Sequence, residues 1–85
     1  MIVNKKCLFI GSKILGLKAL EKLCNISRDD VLACVTIDDT NDIRSKLEEF
    51  KEFTRKENLP IEILNKPSQL KYVIENYQPD FCIVT

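Results

Sequence analysis

Short runs of consecutive apolar residues alternate along this chain with stretches in which apolar positions recur every three or four residues, and polar breaks separate them. Cys7-Leu8-Phe9-Ile10, ending at Gly11, has the form of a strand buried on both faces of a parallel sheet. From Ser12, a suitable N-cap, Ile14, Leu17, Leu20 and Leu23 or Cys24 follow helical spacing until Asn25 and Ser27 end the pattern. A second strand is predicted over Val31–Ile37, broken by Asp38-Asp39-Thr40-Asn41.

Thr40 or Asn41 can cap the next predicted helix, whose stripe is Ile43, Leu47, Phe50 and Thr54. That helix would hold Asp42 in its first turn and Arg55 and Lys56 in its last, with Asp42–Lys46 and Glu52–Lys56 paired at i,i+4 on its wet face. Asn58 ahead of Leu59-Pro60 stops it, and Ile61–Leu64 reads as a short outer strand. Ser68 opens a third helix carrying Leu70, Val73, Ile74 and Tyr77. Gln78-Pro79-Asp80 is a turn, and Phe81–Thr85 reads as a fourth strand of the buried type.

The order βαβαβαβ predicts an α/β fold with a Rossmann-like, open parallel sheet. Right-handed crossovers, the third returning over the opposite face, give the strand order 3-2-1-4. Such a sheet binds ligands at the carboxyl ends of its strands, at the switch point between strands one and four. One wall there would be Gly11-Ser12-Lys13; the other would lie past Thr85. The fourth strand also presents an uncharged, uncovered edge. Residues 1–85 are therefore expected to form the amino-terminal part of a longer domain.

Composition narrows the classes of function. Thirteen basic residues balance thirteen acidic ones, which gives no electrostatic footprint for nucleic acid or anionic lipid. The longest apolar runs are strand-sized, and no signal segment is evident at the amino terminus, so a cytoplasmic protein is expected. Cys7, Cys24, Cys34 and Cys82 show no C-x-x-C spacing and read as buried reduced thiols in preference to disulfides or metal ligands. Histidine is absent, which removes the side chain most used for proton transfer at neutral pH.

Gly11-Ser12-Lys13-Ile14-Leu15-Gly16 opens a helix directly after a strand, where backbone N–H groups can receive an anion. It is not a Walker loop, because Leu17-Lys18-Ala19 follows the second glycine, and it lacks the middle glycine of a dinucleotide fingerprint. Two readings stay open: ligand contact, or a tight turn at Gly11 with Gly16 allowing close helix packing. Asp38, Asp39 and Asp42 suit a turn and capped helix start better than a metal site. Arg44 could reach a phosphate from the same end of the sheet, or simply be solvated. Tyr72 and Tyr77 read as packing residues.

Lys6-Cys7-Leu8-Phe9-Ile10-Gly11-Ser12, Gly16 to Glu21 and Leu32 to Thr36 together resemble the start of the 10-formyltetrahydrofolate-dependent formyltransferases. Asn58-Leu59-Pro60-Ile61 is similar to that family's approach to its third strand, and Gln78-Pro79-Asp80-Phe81-Cys82-Ile83-Val84 to its fourth. Methionyl-tRNA formyltransferases carry a proline-rich basic loop after the second strand. Here Asp38 to Ser45 is more similar to enzymes that formylate the amine of a nucleotide-linked amino sugar.

The resemblance implies an N-terminal formyltransferase fragment that is inactive alone. Gly11, Ser12, Lys13 and Arg44 would face the sugar-nucleotide substrate, and 10-formyltetrahydrofolate would bind past strand four. The family's catalytic Asn, His and Asp come later in sequence, so no catalytic residue and no metal ligand is assigned to this chain. The alternatives are a non-catalytic interaction module pairing through the open fourth strand, half of a split enzyme completed by a downstream partner, a methionyl-tRNA formyltransferase-like fragment, and a dinucleotide-binding half-domain.

Overall fold

The computed structural model describes residues 5–85; the reading of the extreme amino terminus as lacking a signal segment rests partly on residues 1–4, outside the described residues. The elements are β1 (Cys7–Ile10), α1 (Lys13–Ser27), β2 (Val31–Ile37), α2 (Leu47–Lys56), β3 (Ile61–Leu64), α3 (Leu70–Tyr77) and β4 (Phe81–Val84). Single 3-10 turns at Arg28–Asp30 and Pro67–Gln69 lead into β2 and α3. All strand pairs are parallel and the spatial order is β3-β2-β1-β4, an open α/β sheet of the expected Rossmann-like topology.

The sheet is covered on both faces. Cys7 and Phe9 of β1 pack with Leu17, Leu20 and Cys24 of α1 and Phe50 of α2. Leu8 of β1 packs on the other face with Ala33, Val35, Leu64 and Val73, flanked by Leu70 and Tyr77 of α3. Consecutive residues of one strand therefore feed two cores, which is why β1 reads as an unbroken apolar run. On β2 the alternation slips: Cys7 pairs with Val31 but Leu8 with Ala33, so Leu32 is an extra residue. This bulge puts Val31 and Cys34 in the same core although they are three apart.

Cys7, Cys24 and Cys34 lie buried in the α1–α2 core. Burial pushes the Cys34 thiol up to about 12 and raises Cys7 and Cys24 as well, so these sulfurs pack as neutral groups. Thr54, fully buried on α2, donates its hydroxyl to the carbonyls of Phe50 (2.8 Å) and Lys51 (3.0 Å). No helix among the described residues is long and apolar enough to cross a membrane.

Four expectations are corrected. The second helix begins at Leu47, five residues later than a cap at Asn41 implies, and Ile43 is fully exposed. Between them short polar side chains capture the backbone: Asp38 Oδ1 accepts from the Thr40 amide and hydroxyl, Asp42 Oδ1 from the Arg44 amide, and Ser45 Oγ from the Leu47 amide. The wet face of α2 then pairs at i,i+3 through Lys46–Glu49, Glu48–Lys51 and Glu52–Arg55. Ser68 does not open α3; it sits inside the turn begun by Pro67, and Gln69 Oε1 accepts from the amides of Asn65 and Lys66. β4 is half exposed, with Phe81 44% and Val84 70% accessible, because it has a neighbour on one side only.

One guanidinium fastens the amino end of the sheet. Arg28 follows α1 and donates to the Glu57 carbonyl (2.8 and 3.1 Å), the Asn58 carbonyl (2.9 Å) and the Val31 carbonyl (3.2 Å). It thereby satisfies carbonyls at the end of α2, where Asn58 turns left-handed at φ 52°. Arg28→Ala is expected to lower unfolding free energy in urea by about 2 kcal/mol, since charged donors to partly buried carbonyls are the strong kind. Arg28→Lys should recover less than half of that; a loss within about 0.5 kcal/mol, the ordinary surface range, would refute the role.

Candidate functional site

The carboxyl ends of β1, β2 and β4 converge where the strand order reverses. Gly11 N donates to Val35 O (3.0 Å) and Thr85 N to Ile10 O (2.9 Å), so the turn after β1 is held between its two neighbours. Ser12 is extended at φ −151° and occupies the N-cap position, but its hydroxyl makes no capping bond. Lys13 takes the left-handed φ of 61° that turns the chain into α1.

The two glycines act by closeness. Neither has a positive φ, so the left-handed residue of the turn is Lys13 and not Gly11. A Cβ on Gly11 would overlap Thr85 Oγ1 and lie 3.0 Å from the Phe9 ring. A Cβ on Gly16 would lie 3.2 Å from both the Gly11 carbonyl carbon and Thr85 Oγ1. Close packing is therefore realised at both glycines, and what it admits is the Thr85 side chain.

All four sequence-predicted site residues reach this end of the sheet. Ser12, Lys13 and Arg44 line a groove of about 340 Å³ together with Thr85. Gly11 and Ser12 border a second depression of about 200 Å³ on the α3 side, lined also by Ile10, Val35 and Leu70. Ile14 and Leu15, placed or allowed by the helical pattern, are 44% and 80% exposed beside the first groove.

The groove's cations are already paired. Lys13 Nζ lies 3.1 Å from Asp39 Oδ2 and 3.8 Å from Asp42 Oδ2. Arg44 reaches Asp42 through Nη2 (2.9 Å) and Nε (3.2 Å). Ser45 Oγ donates to Asp39 Oδ1 at 2.7 Å. Burial alone would raise Asp39, but the Ser45 hydroxyl and the Lys13 ammonium outweigh it and hold the carboxyl below its usual range. The Arg44 guanidinium holds Asp42 well below the carboxylate range, and Asp42 in turn raises Arg44. Asp42, expected at a helix start, is instead a loop counterion. Its predicted partner Lys46 belongs to Glu49.

Sequence reading missed Ser45, Thr85 and the Lys13–Asp39 pair, whose members are 26 residues apart. Tyr77 packs against the α3-side core and its hydroxyl donates to Glu62 at 2.9 Å, whereas Tyr72, expected to pack, is 64% exposed with the Lys71 ammonium over its ring. Among the described residues no group of three His, Cys, Asp or Glu side chains is placed to hold a metal ion. Comparison with protein-family models, curated proteins and solved structures finds no match to this chain.

Two outcomes follow for this corner. Gly11→Ala is expected to destabilise the fold by about 1–3 kcal/mol, the usual cost of overpacking. Gly11→Ala with Thr85→Ala should recover part of it, leaving the clash with Phe9; purely additive effects in denaturant titrations would refute the contact. Asp39 ionises at lower pH in the folded chain than its ordinary 3.8. Its contribution is therefore complete above that value and is lost as pH falls through the folded pKa, because the unfolded chain takes up the proton first. Asp39→Asn should flatten this part of the acid limb of stability against pH, and an unchanged limb would count against the pairing.

Proposed function

We propose that this chain supplies the acceptor-side wall of a formyl-transfer crevice, of the kind that formylates the amine of a nucleotide-linked amino sugar. The observation that carries the reading is the meeting of Ser12, Lys13 and Arg44 in one groove beside the β1–β4 switch point, the place where open parallel sheets take ligands. The motif resemblance over the four strands supplies the chemistry. Lys13 and Arg44 would hold the acceptor's phosphates, and exposed Ile14 and Leu15 would line its approach.

The residues present do not by themselves fit the folate donor. The depression on the α3 side measures about 200 Å³, below the roughly 300–1,000 Å³ of pockets that enclose drug-sized ligands. Nor does the chain contain a histidine to move the amine's proton. In this reading the chain's work is binding and orientation, and donor and proton-transfer groups come from another segment or another chain.

A second reading rests on the free side of β4. Phe81 N and Thr85 N bond toward β1, so by alternation the backbone groups of Cys82 and Val84 face outward, beside exposed Phe81 and Val84 side chains. That edge suits addition of a further strand.

One titration separates the two. The ¹⁵N-labelled 85-residue chain is titrated with UDP-glucosamine, with expected amide shifts at Gly11, Ser12, Lys13 and Arg44 that weaken in Lys13→Ala. Shifts absent from these residues would overturn the acceptor reading. Concentration-dependent broadening at Cys82 and Val84 in their place would favour strand addition.

A further inference from the structure

Deepening the acceptor reading, on which it rests, we propose that Asp39 and Asp42 form a built-in counter-anion that occupies Lys13 and Arg44 and sets how strongly the groove takes phosphate. The geometry divides the work between the two acids. Asp39 is 11% exposed and is fixed twice, by Lys13 Nζ at 3.1 Å and by the Ser45 hydroxyl at 2.7 Å. Asp42 is 30% exposed, touches Lys13 only at 3.8 Å, and holds the largely solvated Arg44 at 2.9 Å.

Charge makes the consequence concrete. The two cationic side chains lining the groove face two carboxylates, and Asp38 stands at the start of the same loop, so this corner has no net positive charge. A phosphate group cannot meet Arg44 in its bidentate manner while Asp42 does so. Exposed ion pairs are cheap to exchange, so Asp42 is the member that yields and Asp39 the one that stays. The groove is thus self-occupied: a ligand must bring enough anionic charge, or enough additional contact, to displace Asp42. That requirement selects diphosphate-bearing ligands over monoanions, whose single charge Asp42 already supplies.

The probe is inorganic pyrophosphate, titrated at fixed low ionic strength into the ¹⁵N-labelled full chain. Asp42→Asn is expected to bind about three- to tenfold more tightly than the native protein, as removal of one exposed pair partner and its repulsion of phosphate allows. Glu48→Gln makes the same change in net charge on α2, where Glu48 pairs with Lys51, and should leave affinity unchanged. Equal affinities for Asp42→Asn and Glu48→Gln would overturn the proposal. A readout in the native protein needs no variant: the Arg44 Nε resonance must shift as pyrophosphate replaces Asp42, and a static resonance during binding also overturns it. If UDP-glucosamine still shifts Gly11, Ser12 and Lys13 while Asp42→Asn gains nothing, the counter-anion falls and the acceptor reading stands. If neither probe shifts those residues in any variant, both fall.

Discussion

Burial of β1 on both of its faces is the constraint on which the rest of the molecule depends. Leu8 and Phe9 are adjacent in sequence, both are completely buried, and they point into different cores. Such a strand needs helices above and below, which only crossover connections provide, and right-handed crossovers fix the order β3-β2-β1-β4. Placing β1 between β2 and β4 then brings the turn at Gly11 beside Thr85. The groove lined by Ser12, Lys13 and Arg44 is a by-product of that packing.

The same constraint explains what was legible. Strands reveal themselves because a doubly buried strand has almost no polar positions, Thr36 being the exception in β2, and the apolar runs of β1 and β2 coincide with their observed limits. Asn58 was a visible stop because a left-handed residue must follow α2 before Pro60. The start of α2 was not legible, since Ile43 continues the helical stripe through a segment whose Asp and Ser side chains bond their own backbone. Periodicity records where apolar residues fall, and it does not record whether a carboxylate has captured the amide two residues on. Ile14 shows the same limit from the other side: it lies on the α1 stripe, yet it falls beyond the sheet and remains exposed.

At the carboxyl end of the sheet the four residues singled out from sequence do lie together, but their partners were missed. Gly11, Ser12 and Lys13 were placed by the strand-to-helix turn, while Arg44, expected in the first turn of the second helix, lies in the loop before it. Their electrostatic state depends on contacts between distant segments, Lys13 with Asp39 above all, and on the close seating of Thr85 against two glycines. Charge counting over the chain gives balance; counting within the groove also gives balance, but for the specific reason that each cation has its own acid.

The fastenings of this fold are unequally distributed. At the amino ends of the strands Arg28 gathers the carbonyls of Val31, Glu57 and Asn58, Asp80 exchanges hydrogen bonds with the Lys6 backbone, and the Lys6 ammonium reaches the Asp29 carbonyl. At the carboxyl ends the β2–α2 loop is held to α1 by the ion pairs of Lys13 with Asp39 and Asp42, and the Ser45 hydroxyl braces Asp39 from within the loop. The domain is consequently stiff at one rim and compliant at the other. The compliant rim is the one that carries the candidate groove, so residues 38–46 could rearrange around a guest there while the cores beneath Phe9 and Leu8 stay closed, at a cost of only what the loop's own contacts are worth.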